Sequence, residues 1–198
     1  MNYRPITDIW MLARCKYSGG IKRYGGYLAG FPERARALLG VNINDPLLHV
    51  CGGMARYYPY KRGFGPNDMT LDLDPACSPD FLQDAREPFP KCPVVSSIIS
   101  GIDNPTAPLF RLWPGILIDP PYSEEDAEHY VTGAEKYPSP MKLVQNAMAV
   151  LPIGGRVGII HYYPPKMPKN AMMVACIGVI CGFNSRIRVY SVYEKLSD

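Results

Sequence analysis

The sequence predicts an α/β sandwich whose sheet is mostly parallel and ends in an antiparallel hairpin. Three observations predict it. Short apolar runs alternate with helix-start signals along the chain, as expected of strands joined by short helices. The stretch RIRVYSVYEK near the C-terminus alternates polar and apolar residues after the turn-like GFNS, the mark of a hairpin. Carboxylates recur where the apolar runs end, at Asp72 and Asp74, at Asp84 and at Asp119. In open α/β sheets ligands bind beyond the carboxyl ends of the strands.

The elements follow in order. Residues 1–45 form a basic and aromatic segment in which Lys16, Lys22, Arg23, Arg34 and Arg36 interleave with Tyr17, Tyr24, Tyr27 and Phe31. Its glycines predict loops, and PERARALLG predicts a short helix with Pro32 at its start and Gly40 at its C-cap. The core then runs over 46–198. PLLHVCGG (46–53) is a buried strand ending in glycines, MTLDLD (69–74) a second, DFLQDA (80–85) a weaker third and GILID (115–119) a fourth. Ser123 caps a helix, since SEED is a capping box with acids in the first turn. Ser139 caps another, with Pro140 at its first position and its end near Leu151. RVGIIHYY (156–163) is the fifth strand. The run 172–181 is read as a strand because Gly178 and the β-branched residues disfavour a helix, which over 168–181 is the alternative.

Composition bounds the function. At 198 residues the chain holds one domain with its own core and is short for two. A hydrophobic share of 47% with 20% charged residues is that of a globular protein. The net charge of +3 permits a nucleic-acid partner without requiring one. Six cysteines form no C-x-x-C pair and only three histidines are present, so no metal site is expected. Those in MMVACIGVIC read as buried thiols. MNYRPITDIW lacks the apolar core of a signal peptide and no apolar run reaches bilayer length. A cytoplasmic home with reduced cysteines and no membrane partner is expected.

The stretch Asp119-Pro120-Pro121-Tyr122 carries the chemistry. The lone pair of an exocyclic amine is delocalised into its ring, and an acceptor on the N–H directs it at an electrophile. The Asp119 carboxylate and the Pro120 carbonyl can both accept from an NH₂ group. The two prolines stiffen the backbone, and Tyr122 offers a stacking face to a planar base.

This stretch resembles the Asp-Pro-Pro-Tyr motif of the S-adenosylmethionine-dependent amino-methyltransferases, above all the bacterial and phage enzymes acting on adenine N6 in DNA. Further segments fit the resemblance in order and spacing over about 46–163. His49-Val-Cys51-Gly52-Gly53-Met-Ala55 stands where the family has an acid-x-aromatic-x-Gly-x-Gly loop around the cofactor's methionine part. His49 replaces the acid and Ala55 the second glycine. Asp72 matches the acid that takes the ribose hydroxyls. Asp84 and Ala85, in QDAREPF, match the Asp-Ala pair that receives the cofactor's adenine amine. NAMAVLPIGGRVGII looks like the family's helix–Pro–Gly-Gly–strand unit. The resemblance implies a Rossmann-like class I methyltransferase fold, S-adenosyl-L-methionine as cofactor, no metal, and adenine in DNA as the foremost acceptor. An RNA, protein or small-molecule amine is the alternative, as is a non-catalytic binding subunit.

The chain departs from the family pattern in two further places. Only PACSP separates the second and third strands, which leaves no room for the usual helix, and residues 86–114 form a Pro-containing insert before the catalytic strand. No separate target-recognition domain is expected, which favours the RNA, protein or small-molecule alternative or a partner subunit for target recognition. The basic, tyrosine-rich N-terminal segment reads either as a phosphate- and base-contacting surface or as tyrosines packed on the core under a solvated face. KYSGG (16–20) is the segment that would close over the cofactor carboxylate. His129 and Tyr130 read as helix-surface residues. His161 lines the acceptor pocket or is a satisfied structural histidine. Arg186 and Arg188 read as a solvated hairpin face.

Overall fold

The computed structural model describes residues 3–16, 26–60, 62–93, 110–128, 137–182 and 186–198. The elements in chain order are β1 (Ile6–Leu12), α1 (Phe31–Leu39), β2 (Leu47–Val50), β3 (Met69–Asp72), β4 (Phe81–Leu82), β5 (Cys92–Pro93), β6 (Phe110–Arg111), β7 (Gly115–Ile118), α2 (Glu124–Glu128), α3 (Pro140–Val150), β8 (Arg156–His161), β9 (Ala171–Cys181) and β10 (Ile187–Lys195). Among the described residues one eight-stranded sheet has the order β1-β9-β10-β8-β7-β2-β3-β4, and β5 pairs with β6 in a small ribbon apart from it.

The strands β4, β3, β2, β7 and β8 run parallel, and β10 lies antiparallel between β8 and β9. The mostly parallel sheet with its antiparallel C-terminal strands is therefore as the sequence predicts, and the run 171–181 is a strand. From β2 the chain steps outward to β3 and β4, then returns to the other side of β2 for β7 and β8. This reversal opens a crevice at the carboxyl ends of β2 and β7.

Period-two alternation feeds two cores, one on each face. Leu47 and Leu117 pack on the α1 side with Trp10, Phe31, Leu39 and Tyr190. Leu48, Val50, Ile116 and Ile118 pack on the α3 side with Trp113, Leu143, Ala147 and Tyr193. In α1, Phe31, Ala35 and Leu39 recur every four residues on the buried face. Gly40 closes the helix at φ +70°, where a side chain would be strained, and donates to the Ala37 carbonyl. In α2 the predicted cap is present, with the Asp126 amide donating to Ser123 Oγ at 3.0 Å. Ser139 holds the N-cap position of α3, but its side chain makes no capping bond.

Two details differ from expectation. Residues 6–12, for which the sequence predicts no element, form a strand parallel to β9 along its length from Ile6↔Ala175 to Leu12↔Cys181. Only Trp10 and Leu12 of that strand are buried, so its core-facing pattern is short and Asp8 interrupts it. The strand forms because β9 extends a full edge beyond β10. Secondly, β8 stops at His161, and Tyr162 and Tyr163 are exposed beyond it. Between β3 and β4 the short PACSP linker makes only a single 3₁₀ turn, Pro75–Cys77, as expected of its length, with Asp74 accepting from the Ala76 amide at 2.8 Å. The insert is anchored at its base, where buried Trp113 donates its indole N–H to the Pro90 carbonyl at 2.7 Å. Residues 94–109 of it lie outside the described residues.

Candidate active site

The strand tips are laced together by backbone bonds. The Cys51 amide donates to the Leu71 carbonyl at 2.8 Å, and the Asp119 amide to the Val50 carbonyl at 3.1 Å. Cys51 and Asp119 therefore sit side by side at the reversal point, with the end of β3 on the far side of Cys51. Burial first, and then the carboxylates Asp72, Asp119 and Asp84, push the Cys51 thiol well above its ordinary range. The charges of three acids, at or just beyond three strand ends, are thus felt at one residue. Cys51 holds a left-handed φ of +51°, which costs a residue with a Cβ about 1–2 kcal/mol. Strain of this kind gathers at functional sites.

Gly53 is also left-handed, at φ +48°, and a Cβ built on it would meet nothing within 4 Å. Its need is conformational, and the space beside it is open. Its amide donates to Asp72 Oδ2 at 2.8 Å, while the Asp74 amide donates to Asp72 Oδ1 at 3.0 Å. Burial nevertheless raises the Asp72 carboxyl, and hydrogen bonds from the Asp74, Gly53 and Leu73 amides only partly offset it. Each carboxylate oxygen has capacity for a second donor. Gly52 packs tightly, where a Cβ would meet His49 Cβ at 3.0 Å. Ala55 is fully buried beneath the loop, its amide donating to the Gly52 carbonyl at 2.8 Å.

Asp84 is engaged differently. Arg86 donates its amide to Oδ1 and its guanidinium to Oδ2, at 2.6–2.9 Å. These bonds hold the Asp84 carboxyl below its ordinary value. Ala85 is buried, and its carbonyl and those of Arg86 and Glu87 all receive the Asn146 side-chain amide at 2.8–3.2 Å. Asn146, on α3, thereby fixes the loop that carries Asp84.

On the other side of the crevice, Asp119 is partly exposed and its carboxyl is raised to about 6. Burial is the main cause, opposed by a hydrogen bond from Tyr122 and the charge of Arg188. The Tyr122 hydroxyl donates to Asp119 Oδ1 at 2.5 Å. Pro120 is buried and Pro121 half-buried. The Tyr122 ring lies under the Arg188 guanidinium, 4.9 Å from its carbon, and 5.1 Å from the Tyr162 ring. The expectation that Arg188 lies on a solvated face is overturned, because it turns inward over Tyr122. Arg186 is exposed, donates to the Tyr162 hydroxyl at 3.4 Å and lies 3.9 Å from Asp126. His161 is buried among Tyr122, Tyr137, Tyr162 and Tyr163. It shares a 2.5 Å hydrogen bond with Tyr137 through Nε2, and burial lowers its pKa to about 4. It is neutral at physiological pH and lies beside Tyr122 and Tyr162.

His49 leaves the candidate set. It is fully buried on β2, facing α1. Its Nδ1 shares a hydrogen bond with the Tyr27 hydroxyl at 3.0 Å, and its Nε2 meets Asp68 Oδ2 at 3.1 Å. Asp68 in turn pairs with buried Arg36 and accepts from the amides of Leu47 and Gly65. Both ring nitrogens are thus bonded within the chain. Burial alone would raise Asp68, but His49 and Arg36 outweigh it and hold the carboxyl low. Asp68 and Arg36 carried no motif, and only the burial of Tyr27 and His49 reveals their role. Most of KYSGG, together with His129 and Tyr130, lies outside the described residues.

Among the described residues no cluster of histidine, cysteine or acidic side chains could hold a metal ion, and no helix is long and apolar enough to cross a membrane. The described cysteines are free. No family model matches the chain, and no curated protein matches it. Solved structures do. TrmN from Thermus thermophilus superposes with a TM-score of 0.57 at 19% identity, over 87% of this chain and 50% of that one. An rRNA methylase from Streptococcus thermophilus gives 0.46 at 8% identity, over 83% and 95% of the two chains. The N-methyltransferase NodS from Bradyrhizobium japonicum gives 0.45 at 9%, over 83% and 96%. The chain thus spans half the length of the TrmN structure. With its strand order, reversal point and antiparallel C-terminal strands, the chain has the Rossmann-like fold of the class I methyltransferases.

Proposed function

We propose that this chain is an S-adenosylmethionine-dependent N-methyltransferase whose acceptor is the exocyclic amine of a nucleic-acid base, adenine N6 in DNA foremost. The observation that carries the reading is the backbone lacing that sets Cys51 between the end of β3, which bears Asp72, and Asp119 at the strand reversal, with Asp84 just beyond neighbouring β4. The residues fit the cofactor, since the open space at Gly53 admits a close backbone approach and Asp72 keeps unused acceptor capacity. The cofactor, when bound, supplies a sulfonium methyl group.

The chain's own residues do the rest. Asp72 accepts from the ribose hydroxyls, and the Cys51–Gly53 loop shapes the methionine end. Asp84 and Ala85 line the adenine end, where Arg86 shares Asp84. Asp119 and the Pro120 carbonyl accept from the acceptor N–H groups and aim the lone pair. Asp119 is ionised above about pH 6 and is the nearest base for the proton the amine releases. Orientation supplies most of the rate, and no covalent enzyme intermediate is needed. The exposed basic residues of the N-terminal segment, such as Lys16 and Arg34, supply phosphate contacts, while Arg36 is engaged by Asp68, and a partner subunit chooses the target sequence.

The test is transfer of labelled methyl from S-adenosylmethionine to separate pools of DNA, RNA and protein. Label in DNA adenine is expected. Label in RNA or protein moves the acceptor and keeps the chemistry. No transfer, with S-adenosylhomocysteine stabilising the fold, makes the chain a non-catalytic binding subunit. No transfer and no thermal shift contradicts the cofactor assignment.

A further inference from the structure

Arg188 and Tyr122 stand in a relation that the motif alone does not imply. Tyr122 follows β7, Arg188 lies near the start of β10, and β8 runs between those strands. The arginine therefore reaches across the tip of β8 to lie 4.9 Å above the tyrosine ring. Beneath it, the phenol hydroxyl donates to Asp119 Oδ1 at 2.5 Å. Arg188 Nε is buried without a hydrogen-bond partner among the described residues. A buried N–H without a partner is costly, and attraction of the guanidinium to the ring face offsets it.

We propose that Arg188 is a positioning residue of the acceptor site: it holds the Tyr122 ring so that its hydroxyl fixes Asp119 Oδ1, leaving the other carboxylate oxygen for the acceptor amine. The inference rests on the acceptor role given to Asp119 above. Three observations argue for it. A cation over the ring draws electron density from the phenol and makes its O–H a stronger donor. A carboxylate gripped at one oxygen keeps a defined direction at the other, which a transfer governed by orientation requires. And Tyr122, engaged on its edge by Asp119 and on its face by Arg188, is held as a strut rather than left as a bare stacking platform. Tyr162, 40% exposed and beside it, offers the open aromatic face to a base.

The test is a double-mutant cycle of wild type, Arg188→Ala, Tyr122→Phe and both together. It reads single-turnover methyl transfer to an oligonucleotide of the polymer that wild type labels, alongside S-adenosylhomocysteine titration. Each single variant should lose about tenfold or more in rate at unchanged cofactor affinity, and the double variant should be no slower than the slower single. Arg188→Lys should recover part of the loss, because a cation remains near the ring. Multiplicative losses, or an Arg188→Ala rate equal to wild type, would overturn the proposal. A crystal structure of Arg188→Ala decides independently of activity. Tyr122 released from Asp119 supports the strut, and Tyr122 still bonded to it refutes it. Absence of transfer by wild type would instead sink the methyltransferase reading, with the crystal structure still deciding the role of Arg188.

Discussion

His49 and Cys51 lie two residues apart on and just beyond β2, yet they belong to opposite kinds of polar cluster. Around His49, the Tyr27 hydroxyl, Asp68, Arg36 and two backbone amides close on one another under α1. Around Cys51, Asp72 and Asp119 are raised by burial and keep acceptor capacity, while the backbone is left-handed at both Cys51 and Gly53. The first cluster closes on itself, leaving only Arg36 Nε without a partner among the described residues, and links α1, β2 and the 64–68 loop. The difference teaches that at a strand end the informative feature is unmet capacity, since a polar residue with every bond made inside the chain has nothing left for a ligand.

The comparison breaks most readily at Asp68. Asp68→Ala leaves Arg36 buried without its carboxylate, and removal of one partner of a buried pair costs about 3–5 kcal/mol. A urea melt should show that loss, while the folded fraction binds S-adenosylhomocysteine as wild type does. Weaker cofactor binding at unchanged stability would place the network in the site after all. Asp72→Ala should behave the other way. Its expected loss is about 1–3 kcal/mol of cofactor affinity by calorimetry, the range for removing a hydrogen-bonding partner in a buried setting, with a smaller change in stability. The smallest effect is expected at Arg86, whose side chain is 41% exposed. Arg86→Ala should change stability by less than about 1 kcal/mol, and it should tighten cofactor binding by freeing Asp84. Weaker binding would mean that Asp84 needs Arg86 to be held in place.

The elements facing the core were legible from sequence because burial writes its own period. PLLHV, MTLD, GILI and RVGIIH are strands, and the Ser123 box caps its helix. The first strand was not, because Ile6–Leu12 is decided by the edge that β9 offers and not by its own alternation. The acids at the strand ends were legible by position. Their partners were not, since Arg86 reaches Asp84 within a turn and Asn146 reaches the same loop from α3. His49 was misplaced because it was matched by motif position, whereas its parity with Leu47 puts it on the α1 face of β2. Parity also carried the one signal for Arg188, which shares a face with buried Tyr190 and Val192.

The open cluster makes its strongest commitment at Asp119. Its folded-state pKa, about 6, lies above the ordinary aspartate value, so the fold favours the protonated form. That contribution is present at low pH and is lost as pH rises towards about 6. Asp119→Asn has no charge to bury, so its stability relative to wild type should improve from about pH 4 to 6 and then hold, by on the order of 1–2 kcal/mol. Activity should run the other way. Wild-type transfer falls below about pH 6 as the carboxylate is lost, and the asparagine presents a donor or a weaker acceptor to the amine. Single-turnover methyl transfer by Asp119→Asn at pH 7.5, measured beside S-adenosylhomocysteine affinity and a thermal melt, tests the account most directly. The account predicts a rate lower by about a hundredfold or more, unchanged cofactor affinity and an equal or higher melting temperature. Transfer at the wild-type rate would contradict it, and the Asp-Pro-Pro-Tyr stretch would then be only a turn.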